Sequence, residues 1–300
     1  MWDKDWVLIL ENTIVDTSRN SYLANNILTY KHPLEDFVTK ELEDRLISDS
    51  YKNQMIEMYK VFEEETLMPD LIGKAILVNE SQMPNIYAPF AKFGQLLEMK
   101  VPPVYLFEGL YTDVNAEGLD KPWIQITART LENCTAAELE YLIARQMVHI
   151  KLGHMKYEIL CEQFTKSSGI ATQYGSSLVS FFPGASTLTQ GASELYSLNF
   201  RLLTSRWSRV SEYSADRCAL VLIGWDIETA LGAIKKQIFN SKLLADNLKL
   251  SGYLRQTEAI LSLKSPVAKY SVMDEMYPYG PFRMKELISF ASLYSGLSIH

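Results

Sequence analysis

Residues 143–154 read Ile143-Ala144-Arg145-Gln146-Met147-Val148-His149-Ile150-Lys151-Leu152-Gly153-His154. Just upstream, Thr135-Ala136-Ala137-Glu138 has capping-box spacing: the Thr hydroxyl accepts from the amide three residues on, and the Glu side chain reaches back to the cap amide. A helix therefore starts at Thr135 and carries the quoted stretch, with Arg145 and His149 one turn apart on one face. That is the spacing of the pattern H-E-x-x-H, in which two neutral imidazoles converge on a zinc ion and a carboxylate beside the first activates its bound water. Here the five positions hold Arg145, Gln146, Met147, Val148 and His149, so one imidazole remains. By itself a lone helix histidine reads as a hydrogen-bonded core residue. Downstream, Ser208 to Arg217 places Glu212 and Asp216 four residues apart on a second helix face.

Composition sets the frame around these residues. The chain has 300 residues, 47% of them hydrophobic and 22% charged, which is ample material for one large domain. A formal charge of -7 and the lack of any Lys/Arg cluster exclude a nucleic-acid binder. The acidic run Glu63-Glu64-Glu65 reads as a solvated helix face. Cys134, Cys161 and Cys218 are widely spaced and show no C-x-x-C, so neither a disulfide framework nor a cysteine zinc site is expected, and a reducing cytoplasm fits. The amino terminus has five consecutive apolar residues between Asp5 and Glu11, too few for a signal-peptide core or a membrane span. Ser167 to Ser193 carries no formal charge but is rich in Ser, Thr, Gly and Gln, and reads as a buried small-residue helix or loop rather than a membrane contact.

Periodicity places the elements. Pro33 to Glu65 carries apolar residues at helical spacing and predicts two amphipathic helices, a prefix to the main domain. Strands are expected at Ala75 to Val78, Val104 to Phe107 and Trp123 to Thr127, with a helix over Met83 to Met99 between the first two. After Thr135 further helices are expected over Leu195 to Leu203, Arg206 to Ile223, Asp226 to Phe239 and Arg283 to Leu293. The sum is an α+β, mostly helical chain with a small β-sheet, divided into a prefix over 1–80 and a main domain over 81–300.

Taken together, these residues resemble the HtpX and CAAX-prenyl-endopeptidase family of zinc metallopeptidases, peptidase family M forty-eight, and its soluble branch in particular. Ala144, His149, Ile150, Lys151, Gly153 and His154 match that family's active-site helix, and Ser208, Arg209, Glu212, Ala215, Asp216 and Arg217 match its later helix. His32-Pro33-Leu34, Pro103 to Leu106, Val114 to Gly118, Trp123 to Ile126, Glu138-Leu139 and Arg283 to Leu287 follow in the family's order, over about residues 32 to 290. The resemblance implies a zincin-like (gluzincin) peptidase domain. It implies that His149 and Glu212 stand at zinc-ligand positions with Asp216 supporting them. It also implies that Asn115 and Ala116 lie on an edge strand that pairs with extended substrate, with Arg283 an auxiliary residue near the site.

Three departures redirect the expected function. The first ligand position holds Arg145, which has no lone pair to offer a metal. The general-base position holds Gln146, an amide that cannot take and return a proton. Relatives carry His-Pro shortly before the conserved arginine, where this chain has Tyr277-Pro278, otherwise read as a packed loop. A guanidinium about 5 Å from a zinc ion would repel it by roughly 6 to 7 kcal/mol at an effective dielectric of ~20. The expectation is a pseudopeptidase with no cofactor, in which Arg145 pairs with Glu212 in the metal's place and the cleft binds an extended peptide or protein partner. Two alternatives stay open. One is an active zinc metalloendopeptidase with substituted ligands, His154 among them, which requires the helix to end or bend near Gly153. The other is a structural subunit that pairs with another protein, in an oligomer or a wider assembly.

Overall fold

A computed structural model describes residues 24–45, 49–161 and 198–294; the uncharged Ser167 to Ser193 segment and the amino-terminal apolar run lie outside the described residues. Short runs rich in β-branched and aromatic residues form four strands: β1 (Ile76–Val78), β2 (Val104–Phe107), β3 (Val114–Glu117) and β4 (Trp123–Thr127). Their order is β1-β2-β4-β3, with β2 and β4 parallel and the two outer pairs antiparallel. β3 is therefore an edge. The Thr127 amide donates to the Asp113 carbonyl at 3.2 Å, so by the alternation of an antiparallel ladder residues 113, 115 and 117 turn their backbone groups to β4, and 114 and 116 turn theirs to the open side. Gly118, at φ 84°, makes the turn out of β3. A Cβ there would meet the Trp123 ring at 2.5 Å, so the close turn needs glycine.

The helices that position the site are, in chain order, α1 (Glu35–Arg45), α2 (Asp49–Phe62), α3 (Pro84–Leu96), α4 (Ala136–Leu152), α5 over 154–161, α6 (Leu198–Leu222), α7 (Ile227–Phe239) and α8 (Gly280–Tyr294). The middle of α4 is buried all round. Tyr141, Leu142, Ile143, Ala144, Met147 and Val148 share one core with Val114, Ile124 and Ile126 of the sheet and with Ala215, Cys218, Ala219 and Leu222 of α6. Each large side chain so buried contributes roughly 1.5 to 3 kcal/mol. A smaller cluster joins Val38 and Leu42 of α1 to Leu160 and Cys161 of α5 and Leu203 and Trp207 of α6, which fixes the prefix against the site.

Two expectations are corrected. The two helices expected over Leu195 to Leu203 and Arg206 to Ile223 are, over the described residues, the single 25-residue helix α6. Thr204 and Ser205 are fully buried, and Ser205 donates to the Asp274 carbonyl, so these polar residues are satisfied without breaking the helix. The acidic run is not wholly solvated: Glu63 is buried in a short π-helical turn (Glu63–Leu67) and accepts the Leu119 amide at 3.1 Å. None of the three cysteines forms a disulfide. No helix among the described residues is long and apolar enough to cross a membrane.

Candidate functional site

α4 begins on the capping box that the sequence announces: the Thr135 amide donates to Glu138 at 2.6 Å and the Glu138 amide to the Thr135 hydroxyl at 3.3 Å. From this start Arg145, Gln146 and His149 fall on the side of the helix that faces a cleft of about 450 Å³. The cleft runs between the β3 edge, the carboxyl end of α4, α6 and the Tyr277-Pro278 loop. All three side chains are nonetheless buried.

Two layers of charge cross from α4 to α6. In the outer layer Arg145 Nη2 donates to Glu212 Oε2, and His149 Nε2 stands 3.6 Å from Glu212 Oε1. In the inner layer Asp216 accepts two bonds from Arg283, at 2.6 and 2.7 Å, and one from the Tyr141 hydroxyl at 2.8 Å. Arg145 links the layers, its Nε lying 3.2 Å from Asp216 Oδ1. The guanidinium is thus shared between two carboxylates rather than forked onto Glu212. Burial alone would raise the Asp216 pKa; the Arg283 charge and its hydrogen bonds, with Arg145, hold the carboxyl below its usual range. For His149 burial and the Arg145 charge act together and push the imidazole well below its ordinary value, so the ring is neutral.

α4 ends at Gly153, whose left-handed backbone (φ 72°) lets the chain turn before α5. That break brings His154 back onto His149, ring nitrogen to ring nitrogen: the two Nδ1 atoms are 2.9 Å apart. His154 Nε2 lies 3.4 Å from Glu35 Oε1 of α1. Burial opposes the Glu35 charge, but the partnership with His154 outweighs it and holds this carboxyl below its usual range. An ionised Glu35 only accepts, so His154 presents its Nε2–H to that carboxylate, and one of the two facing Nδ1 atoms donates to the other. His149 Nε2 makes no hydrogen bond, and His149 lines the cleft beside Glu212. Glu35 was not singled out by sequence reasoning, because it lies 119 residues from His154 and only packing brings it there.

At the edge strand, the Ala116 amide donates to Gln146 Oε1 at 3.1 Å. The residue at the general-base position thereby holds one of the outward donors of β3. The other, the Val114 amide, donates to Asp113 Oδ1 at 3.0 Å, and Asn115 Nδ2 donates to Asp113 Oδ2 at 2.7 Å. Asp113 and Gln237, which the sequence did not mark, thus belong to the site. Tyr277 is 48% exposed and lines the cleft instead of packing away as a loop residue.

The residues present do not fit a zinc ion. His149 Nε2 and Glu212 Oε1 keep close to the ~3.4 Å separation of two ligands on a tetrahedral zinc, but the third position is a guanidinium hydrogen-bonded to one of them. Among the described residues no group of three or more His, Cys, Asp or Glu side chains is placed to hold a metal.

An α+β fold with a small mixed sheet, a buried helix with Arg145, Gln146 and His149 at the H-E-x-x-H positions and a facing Glu-x-x-x-Asp helix define the class: a zincin-type peptidase domain. The family model for Peptidase family M48 matches residues 79–241, more than half of the chain, and the chain belongs to that family. A similar curated protein is the plastoglobule-localized metallopeptidase 48, chloroplastic, of Arabidopsis thaliana, 22% identical over 198 residues, which are 65% of this chain and 52% of that protein. The chain spans about half the length of this relative.

Proposed function

We propose that this chain is a pseudopeptidase, a peptidase domain that binds an extended peptide or protein segment in its cleft without hydrolysing it. The observation that carries the reading is the Arg145 guanidinium, buried between Glu212 and Asp216 at the place of the first metal ligand. Gln146 supports it, since an amide that accepts the Ala116 N–H cannot serve as the proton acceptor that peptide hydrolysis requires. Neither zinc nor another cofactor is required in this reading. The cysteines, unbridged, suit a reducing compartment, for which we propose the cytoplasm.

Incubation of the purified chain with casein and a degenerate peptide library, with and without a chelator, tests the proposal. No cleavage above background in either condition is expected. Chelator-sensitive cleavage would establish the active metallopeptidase reading instead. Stable co-purification with a folded protein, with no affinity for extended peptides, would favour the structural-subunit reading.

A further inference from the structure

The cleft is asymmetric in its hydrogen-bonding capacity. The donors on its walls are largely held by the chain itself. Arg145 and Arg283 give their protons to Glu212, Asp216 and Gln237; the outward amides of β3 give theirs to Asp113 and Gln146. The outward carbonyls of Val114 and Ala116 lie along the edge strand, and Glu117, Glu158 and Glu212 place carboxylates on the cleft walls.

Asp113 stands out among these groups. Its carboxylate accepts from three neutral donors, the Val114 amide at 3.0 Å, Asn115 at 2.7 Å and Gln237 at 3.3 Å, and has no cationic partner among the described residues. Those bonds orient the group at the head of the edge strand without cancelling its charge. A second observation lies deeper in the cleft. His149 is buried, its Nε2 makes no hydrogen bond, and the atom stands 3.6 Å from Glu212 Oε1, a carboxylate oxygen at the floor of the cleft. Tyr59 and Tyr277 line the same cleft. The complement of such a surface is a ligand rich in N–H groups and positive charge.

We infer that the cleft selects an extended peptide carrying a lysine or arginine side chain, whose cation sits against Asp113 beside the β3 edge. The inference rests on the peptide-binding reading and specifies its ligand class. The peptide backbone pairs with the outward carbonyls of Val114 and Ala116, and it either exchanges with Gln146 for the Ala116 amide or leaves that bond in place. The basic side chain supplies the specificity and the amide backbone the register.

The test uses the full chain and three fluorescein-labelled ten-residue peptides that differ only at two central positions, Arg-Lys, Gln-Gln or Glu-Glu, followed by fluorescence anisotropy at low and high salt. The Arg-Lys peptide is expected to bind about tenfold more tightly than the Gln-Gln peptide at low salt, with the gap shrinking to about twofold at high salt. Asp113→Asn should abolish most of that preference, bringing the Arg-Lys and Gln-Gln affinities within about twofold of each other. Asp113→Lys should reverse it in favour of Glu-Glu. Melting curves of both variants establish that they fold. Equal binding of all three peptides would overturn the charge selection and leave the peptide-binding reading standing. A basic preference that survives both substitutions would overturn the place given to Asp113. No binding of any peptide would overturn the peptide-binding reading, and this inference with it.

Discussion

Glu212 and Asp216 lie one turn apart on the same helix, yet they serve different layers of the molecule. Asp216 is fully buried and accepts three hydrogen bonds, two from Arg283 and one from Tyr141, which tie α6 to α8 and to α4. Glu212 faces the cleft, and the residues around it, Arg145 and His149, each retain a polar atom without a hydrogen bond. The inner layer is complete as a scaffold, whereas the outer layer sets a guanidinium between two carboxylates beside the cleft. The bonds that fix the frame thus lie one helical turn behind the residues that line the cleft.

The difference is broken most severely from the inner side. Asp216→Ala leaves Arg283 buried without its paired carboxylate and is expected to cost about 3 to 5 kcal/mol, read by urea unfolding. Arg145→Met should cost less, about 2 to 3 kcal/mol, because Glu212 borders the cleft and can recover water. Equal losses would mean that the two layers are one network.

Acid titration sharpens the comparison further. The unfolded His149 imidazole takes a proton below pH ~6.5, while the folded ring stays neutral well below that value. Over this window the unfolded state binds more protons, so stability falls as pH drops, by up to about 1.4 kcal/mol per pH unit for the one group. His32, held at about 4 by burial and by Arg217, adds a slope of the same sign. The Asp216 layer behaves differently. Its folded pKa is depressed, so its contribution is fully present above the ordinary Asp value near ~3.9 and is lost only as pH falls through the lower folded value. In equilibrium unfolding between pH 7 and 5, His149→Phe should remove about one proton's worth of slope. An unchanged slope would show that His149 is charged in the folded chain.

Much of this arrangement is legible in the residues. Thr135 and Glu138 announce the start of α4, and the motif order from Pro103 to Arg283 points to the fold. The bend at Gly153, set out as the condition for His154 to share a metal with His149, is present in the backbone and brings the two rings together. What stayed hidden depends on packing between distant segments. Glu35 reaches His154 only because Val38 and Leu42 anchor α1 against α5 and α6. Gln146 reads from sequence as a lost base; its bond to the Ala116 amide follows from the depth at which β3 crosses α4. Asp113 escaped notice because a carboxylate before a short strand carries no motif. The expected interruption of α6 near Thr204 failed for the converse reason: buried partners satisfied residues that would weaken an exposed helix.

Zinc stoichiometry, measured by elemental analysis after dialysis against trace zinc, bears on the central claim most directly when the wild-type chain is compared with Arg145→His. That substitution restores an imidazole one turn before His149 and opposite Glu212, which completes three protein ligands. The account predicts far less than one zinc per wild-type chain and about one per variant chain. One tightly held zinc in each wild-type chain would contradict it.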